Sequence, residues 1–161
     1  MKYLLFSDIH GCLPALEKVL DFFEKEKCDM MCIMGDIINY GPRNRIPEGI
    51  DPKGIVERLN ALADQIVAVR GNCDAEVDQM VLEFPILADY CFIELDGHTI
   101  FATHGHHHNP KNPPMLKKGD ILLNGHTHIP ANQDMGDFTY MNPGSVSIPK
   151  ENSAHGYMIY D

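Results

Sequence analysis

Positive charge is what this sequence has little of: 13 Lys and Arg stand against 23 Asp and Glu over 161 residues, a formal net charge of -10. Gripping a nucleic-acid backbone takes clustered Lys and Arg, so no strong nucleic-acid binding is expected. Long apolar runs are missing as well. No segment approaches the roughly 20 residues that cross a bilayer, so no membrane partner is expected. The apolar start Tyr3 to Phe6 is too short for the core of a secretory signal. The five cysteines, Cys12, Cys28, Cys32, Cys73 and Cys91, are odd in number and lack framework spacing, which points to the cytoplasm. Internal repeats and low-complexity tracts are absent. The length suits one α/β domain over residues 1–161 with its own core.

What is present is one construction used five times. Leu4 to Ser7 is an apolar run ending in Asp8-Ile9-His10-Gly11, a buried strand that delivers a carboxylate and an imidazole into the loop at its end. The same form returns in Met30 to Met34 before Gly35-Asp36, and in Ile66 to Val69 before Gly71-Asn72. It returns again in Ile100 to Thr103 before His104, and in Ile121 to Leu123 before Gly125-His126-Thr127-His128. In an open α/β sheet the chemistry collects beyond the carboxyl ends of the strands, so five loops are expected to converge on one polar site.

Between these runs, Leu13 to Lys27 places Leu16, Leu20 and Phe23 on one face of a helix with Pro14 near its first turn. Strand, helix and strand then form a β-α-β unit that sets Asp8 and Asp36 on neighbouring strand ends. Asp51-Pro52 reads as an N-cap with Pro at the first helical position, before a stripe of Ile55, Val56, Leu59 and Leu62. Asp74 to Val81 suggests a short helix, and Tyr90 to Leu95, Asp96-Gly97 and His98 to Thr103 a hairpin. Short strands follow at Ala131 to Met135, Phe138 to Met141 and Tyr157 to Tyr160. So many strands exceed one small open sheet, and the expected architecture is a four-layer α/β/β/α sandwich of two mixed sheets.

Asp8, His10, Asp36, Asn72, His104, His126 and His128 are all oxygen or nitrogen ligands, a set suited to Mn, Fe, Zn or Mg in expanded coordination and not to a closed Cys site. Seven ligands are too many for one tetrahedral ion but enough for two divalent ions sharing a carboxylate. Such a pair clamps a phosphoryl group and acidifies a bound water. It also offsets part of the chain's negative charge, so an anionic substrate is held locally against a repulsive overall field. Any one of these residues alone reads better as a turn, a cap or a satisfied histidine. Five together, in order and each at a strand end, do not.

The motifs Asp8-Ile9-His10, Gly35-Asp36, Gly71-Asn72, Thr103-His104-Gly105-His106 and Gly125-His126-Thr127-His128 resemble the series of the calcineurin-like metallophosphoesterases. The strings Asn39-Tyr40-Gly41-Pro42-Arg43-Asn44, Val69-Arg70-Gly71-Asn72-Cys73-Asp74 and Asn142-Pro143-Gly144-Ser145-Val146-Ser147-Ile148-Pro149 resemble its YfcE-type bacterial phosphodiesterase branch. The resemblance implies one metal on Asp8, His10, Asp36 and His128 and a second on Asp36, Asn72, His104 and His126. Asp36 would be the bridge. It implies Mn foremost, with Fe, Zn, Ni or Mg as alternatives, and a metal-bridging hydroxide that attacks phosphorus in line without a phosphoenzyme. The implied catalytic residues are Asp36, Asn72 and His104, together with Cys73 at a position where many members carry a histidine.

A thiol cannot present a cationic imidazolium, so good leaving groups are favoured. The expected partner is a small phosphate ester, and a homo-oligomer is compatible with the sequence. Arg43 reads equally as a phosphate contact or a surface ion pair, and His106 as an outer contact or part of a solvated loop. A phosphomonoesterase is the nearest alternative. A non-catalytic scaffold, as in the retromer subunit of similar fold, is weaker because the ligand set is complete. Relatives of the branch commonly continue for another strand or two after a segment like Tyr157 to Tyr160, which bears on the far edge of the second sheet.

Overall fold

The computed structural model describes residues 1–161. Three apolar runs, β1 (Tyr3–Phe6), β2 (Met30–Ile33) and β3 (Ile66–Ala68), pair in parallel, with Phe6 opposite Ile33 and Ile33 opposite Ala68. The connections between them are the helices α1 (Leu13–Lys25) and α2 (Pro52–Asn60), as parallel pairing requires. Helix α1 buries Leu16, Val19 and Phe23 against this sheet, each worth about 1.5–3 kcal/mol over leaving it in water. It ends two residues before the expected Lys27, which adopts φ 52°. Helix α2 starts as expected: the Asp51 carboxylate accepts the Gly54 N–H at 2.9 Å. The Asp74–Val81 segment yields only the short α3 (Glu76–Gln79).

The second sheet runs in the order β4 (Tyr90–Leu95), β5 (His98–Thr103), β6 (Asp120–Leu123), β8 (Phe138–Asn142) and β7 (Ala131–Asp134). Its edge pairs are antiparallel and its central pairs parallel. The Asp96-Gly97 hairpin forms, with φ of 51° and 79° at the two turn residues. The two sheets close on a shared layer in which Leu5, Cys32 and Met34 face Ile93, Ile100, Ala102 and Leu123.

The expected two-sheet α/β sandwich is therefore what forms, with both sheets mixed. Helices cover the outer face of the first sheet. On the outer face of the second, Phe101, Leu122 and Tyr140 are covered by Leu116, Ala131 and Phe138, with no helix over them. The last strand, β9 (Met158–Tyr160), pairs antiparallel with β1, so the edge that it forms belongs to the first sheet and not the second.

Candidate metal centre

Strands β1, β2, β3, β5 and β6 deliver their carboxyl ends to one side of the sandwich, and the five loops that follow them meet there. Asp8, His10, His104 and His128 are almost wholly buried, as is Asp36. Asn72 is exposed and His126 half-buried, so the cluster opens to solvent on their side. The backbone is bent to the task. Asp8, His10, Asp36, His126 and His128 have φ between 49° and 68°, left-handed conformations that cost L residues on the order of 1–3 kcal/mol each. Close approach also dictates Gly71 and Gly125. A side-chain carbon would collide with the Asp36 carboxylate at the first and with Ser7 and Asp8 at the second.

Each carboxylate has one oxygen spoken for and one left over. Asp8 Oδ2 accepts the His126 N–H at 2.9 Å, and Asp36 Oδ1 accepts the Cys73 N–H at 2.8 Å. Asp8 Oδ1 lies 3.4 Å from His10 Nε2 and 3.2 Å from His128 Nε2. Asp36 Oδ2 lies 3.3 Å from His104 Nε2 and 3.8 Å from His10 Nε2, which places it between two groups. In the first group His10 Nε2 and His128 Nε2 are 3.2 Å apart. In the second, His104 Nε2 is 3.2 Å from His126 Nδ1 and 3.0 Å from Asn72 Oδ1.

The tautomers follow from the other ring nitrogens. His10 Nδ1 donates to Asn39 O at 2.8 Å, His104 Nδ1 to Met34 O at 2.5 Å and His128 Nδ1 to Ile148 O at 2.7 Å, since a carbonyl can only accept. Each Nε2 of a neutral ring is then a bare lone pair aimed at the others. Asp8 Oδ1 is a buried oxygen with no hydrogen-bond donor of its own. Acceptors crowded together in this way suit a cation among them, with the backbone carbonyls holding the rings in place behind it.

Electrostatics say the same for protons. Burial pushes Asp8 up, but in the metal-free protein the nearby rings of His10 and His128, once protonated, and the charge of His104 hold it well below the usual carboxylate range. Asp36 is likewise lowered, against its burial, by His104. Burial drives His104 down, yet Asp36 and Asp8 carry it up to about 9. The Cys73 thiol is pushed up to about 12 by burial and by the Asp36 charge, so it is a neutral S–H near neutral pH. It shares a possible cation cluster with His10 and Asp36, but a thiol that protonated is a poor ligand.

Several residues with no signal of their own in the sequence hold this centre. Asp74 accepts the N–H groups of Asp36, Ile37 and Gly71 at 2.8, 3.0 and 2.8 Å. Ser145 and Ser147 both donate to the Asp8 carbonyl at 2.8 Å. A cavity of about 390 Å³ lies over the cluster, lined beside the cluster residues by Arg43, Asn44, Thr127 and Lys150. Arg43 thus lies beside the cluster. His106 is half-buried against the rings of His104 and His126, at centroid distances of 5.3 and 6.1 Å, and does not line that cavity.

The model of the calcineurin-like phosphoesterase superfamily domain matches residues 1–161. The chain is a calcineurin-like phosphoesterase. This phosphoesterase is 48% identical to phosphodiesterase YfcE of Escherichia coli K12 over 161 residues, covering all of this chain and 88% of that protein. It is 27% identical to phosphodiesterase MJ0936 of Methanocaldococcus jannaschii over 152 residues, or 89% of this chain and 83% of that one. The solved structure of the E. coli YfcE phosphoesterase superposes with a TM-score of 0.98, at 48% identity, over 100% and 88% of the two chains. A zinc complex of Vps29 from Entamoeba histolytica shares the fold at a TM-score of 0.63 and 20% identity, over 99% and 84%. These matches make the chain a homologue of a phosphodiesterase, and the family implies divalent metal ions.

Proposed function

We propose that this chain hydrolyses a small phosphate diester in a metal-dependent reaction, with residues 1–161 acting as one domain. The observation that carries the reading is the pair of spare carboxylate oxygens, Asp8 Oδ1 and Asp36 Oδ2, converging with four imidazoles on two adjoining groups that share Asp36. In this reading Asp8, His10, Asp36 and His128 hold one ion, and Asp36, Asn72, His104 and His126 the other. Mn is the first choice, with Fe, Zn, Ni or Mg as alternatives. The chemistry such a pair would supply when bound is acidification of a water toward hydroxide near neutral pH for attack on phosphorus, together with positive charge for the phosphoryl oxygens.

The chain's own residues do the rest. The carbonyls of Asn39, Met34 and Ile148 fix which ring nitrogen His10, His104 and His128 offer. The Asn72 Nδ2 lies 3.6 Å from Cys73 Sγ while its Oδ1 faces His104, so the amide spans the ligand group and the thiol. Cys73 offers the departing oxygen a neutral S–H and no positive charge, which suits a diester with a good leaving group. Arg43 is proposed as a substrate contact, and His106, which backs His104 and His126 outside the cavity lining, as an outer contact. A phosphomonoesterase is the second reading, favoured by the cations Arg43 and Lys150 beside the cluster and opposed by the lack of an imidazolium at position 73. The odd, unframed cysteines, all free, support a cytoplasmic setting.

Metal-stripped protein reloaded with one ion at a time, and assayed against 4-nitrophenyl diesters and monoesters, tests this. Diester hydrolysis should return with Mn and vanish on chelation, while far-UV circular dichroism stays nearly constant, because the ligands sit on a scaffold with its own apolar core. Full activity in stripped protein, or faster turnover of the monoester, would overturn the reading.

A further inference from the structure

The cavity over the cluster has no hydrophobic side chain in its lining, and it has two cations, Arg43 and Lys150. Neither makes an ion pair, although Arg58 pairs with Glu17 at 3.0 Å and Arg70 with Glu76 at 3.6 Å. Arg43 and Lys150 are both exposed at the cavity rim, where a cation can meet an anionic group of a bound ligand. Lys150 has a fixed base: its N–H donates to His128 O at 3.1 Å, and its carbonyl accepts from Ser153 Oγ at 2.5 Å. The side chain therefore starts from beside a cluster histidine.

A second cleft adjoins the first. It shares Arg43 and Asn72 with the cavity, and continues over Tyr40, Pro42, Ile50 and Cys73. The two branches differ in kind. One is wholly polar and ends in a cation, and the other offers an aromatic ring and apolar carbon. A symmetric diester with two apolar arms would leave Lys150 to solvent, whereas an anionic arm would gain a charge-assisted hydrogen bond from it.

We propose that the cleft selects an unsymmetrical phosphodiester, with a short arm ending in a second anionic group against Lys150, an apolar or aromatic arm over Tyr40 and Pro42, and Arg43 and Asn72 beside the phosphoryl group between them. The proposal rests on the diesterase reading above. Water adds to phosphorus, the P–O bond to the apolar arm breaks and that arm leaves as its alcohol. The anionic arm stays on the phosphate product. A carboxylate or a second phosphate provides the shared chemistry that Lys150 recognises.

The test compares 4-nitrophenyl carboxymethyl phosphate, 4-nitrophenyl 2-phosphoethyl phosphate and 4-nitrophenyl ethyl phosphate on Mn-loaded protein. Wild type should show a KM about tenfold lower for an anionic arm than for the ethyl arm, the factor that a charge-assisted hydrogen bond of about 1.4 kcal/mol provides. Which of the two anionic esters gains more separates carboxylate from phosphate. In Lys150→Ala the preference should collapse to about one through KM, with Lys150→Arg restoring most of it. Tyr40→Ala should raise KM for all three aryl esters and leave the Lys150 preference in place. Calorimetric binding of phosphoglycolate against methyl phosphate gives the same comparison without turnover. No preference in wild type, or a preference that survives Lys150→Ala, overturns the proposal. Lys150-dependent phosphoglycolate binding in a protein that hydrolyses none of the esters supports the anion site and overturns the diesterase reading instead.

Discussion

Replacing Asp74 with Ala should do more damage than any other single change outside the ligand set. Its carboxylate is 3% exposed and is the acceptor for three backbone N–H groups, those of Asp36, Ile37 and Gly71. These are the loops that carry the proposed bridging carboxylate and its neighbour Asn72. An unmade buried hydrogen bond costs about 1–3 kcal/mol, and water entering the vacated space recovers part of it, so the sum is about 3–6 kcal/mol. In a domain of this size each kcal/mol lowers Tm by about 2–4 °C, which gives a fall of roughly 10–20 °C. Asp74→Asn should fall by about half as much. One amide oxygen can still serve Asp36 and Gly71, while the amide nitrogen faces the Ile37 donor. Thermal melts of chelated protein followed by circular dichroism read the stability, and elemental analysis of reloaded protein reads the site. If Asp74→Ala melts within about 2 °C of wild type and carries two ions, the carboxylate does not organise these loops.

Three further outcomes follow from the same geometry. Asp36→Asn should lose both ions because Asp36 Oδ2 lies between the two groups, whereas His10→Ala should lose chiefly one; two ions per chain in Asp36→Asn would remove Asp36 as the bridge. Cys73→Ala should keep much of the diesterase activity with an activated leaving group. Cys73→His should raise kcat/KM, most for poor leaving groups, by up to about 10²-fold if the ring is well placed. A fully metallated but inactive Cys73→Ala would give the thiol a direct role. In metal-free protein His104, carried up to about 9 against an ordinary 6.5, contributes stability that is complete below pH 6.5 and lost as pH rises through 9. The loss is on the order of 3 kcal/mol. Urea melts at pH 6 and 9.5 should show it in wild type and not in His104→Gln, and an equally steep loss in the variant would refute the assignment.

The sequence made the strands and their loop tips legible because each apolar run stops abruptly at a small residue followed by a ligand type. Burial of the run and exposure of its tip impose that pattern on any chain. The Asp96-Gly97 turn and the Asp51-Pro52 helix start were legible for an equally local reason. Asp74 was not. A carboxylate three residues after Gly71 reads as an ordinary turn residue until the chain brings Asp36 and Ile37 against it from 38 and 37 residues away. Lys150 follows the turn Asn142 to Pro149 and looks like any solvated lysine, and only the anchoring of its backbone to His128 puts it on the cavity. The bare outer face of the second sheet was equally hidden. Strand patterning says which face is apolar and not what lies over it.

The anchoring of His10, His104 and His128 to the carbonyls of Asn39, Met34 and Ile148 has a consequence for how this centre tolerates change. A ring oriented by a neighbouring carboxylate can be freed by one substitution. Here each ring is held by the peptide chain itself, and every residue type supplies a carbonyl. The imidazoles therefore depend on the path of the backbone and not on the side chains at positions 34, 39 and 148, although Met34 and Ile148 are themselves held by burial. Sensitivity to mutation is moved onto whatever sets that path: the glycines that no side-chain carbon can replace, and the two serines that grip the carbonyl of Asp8.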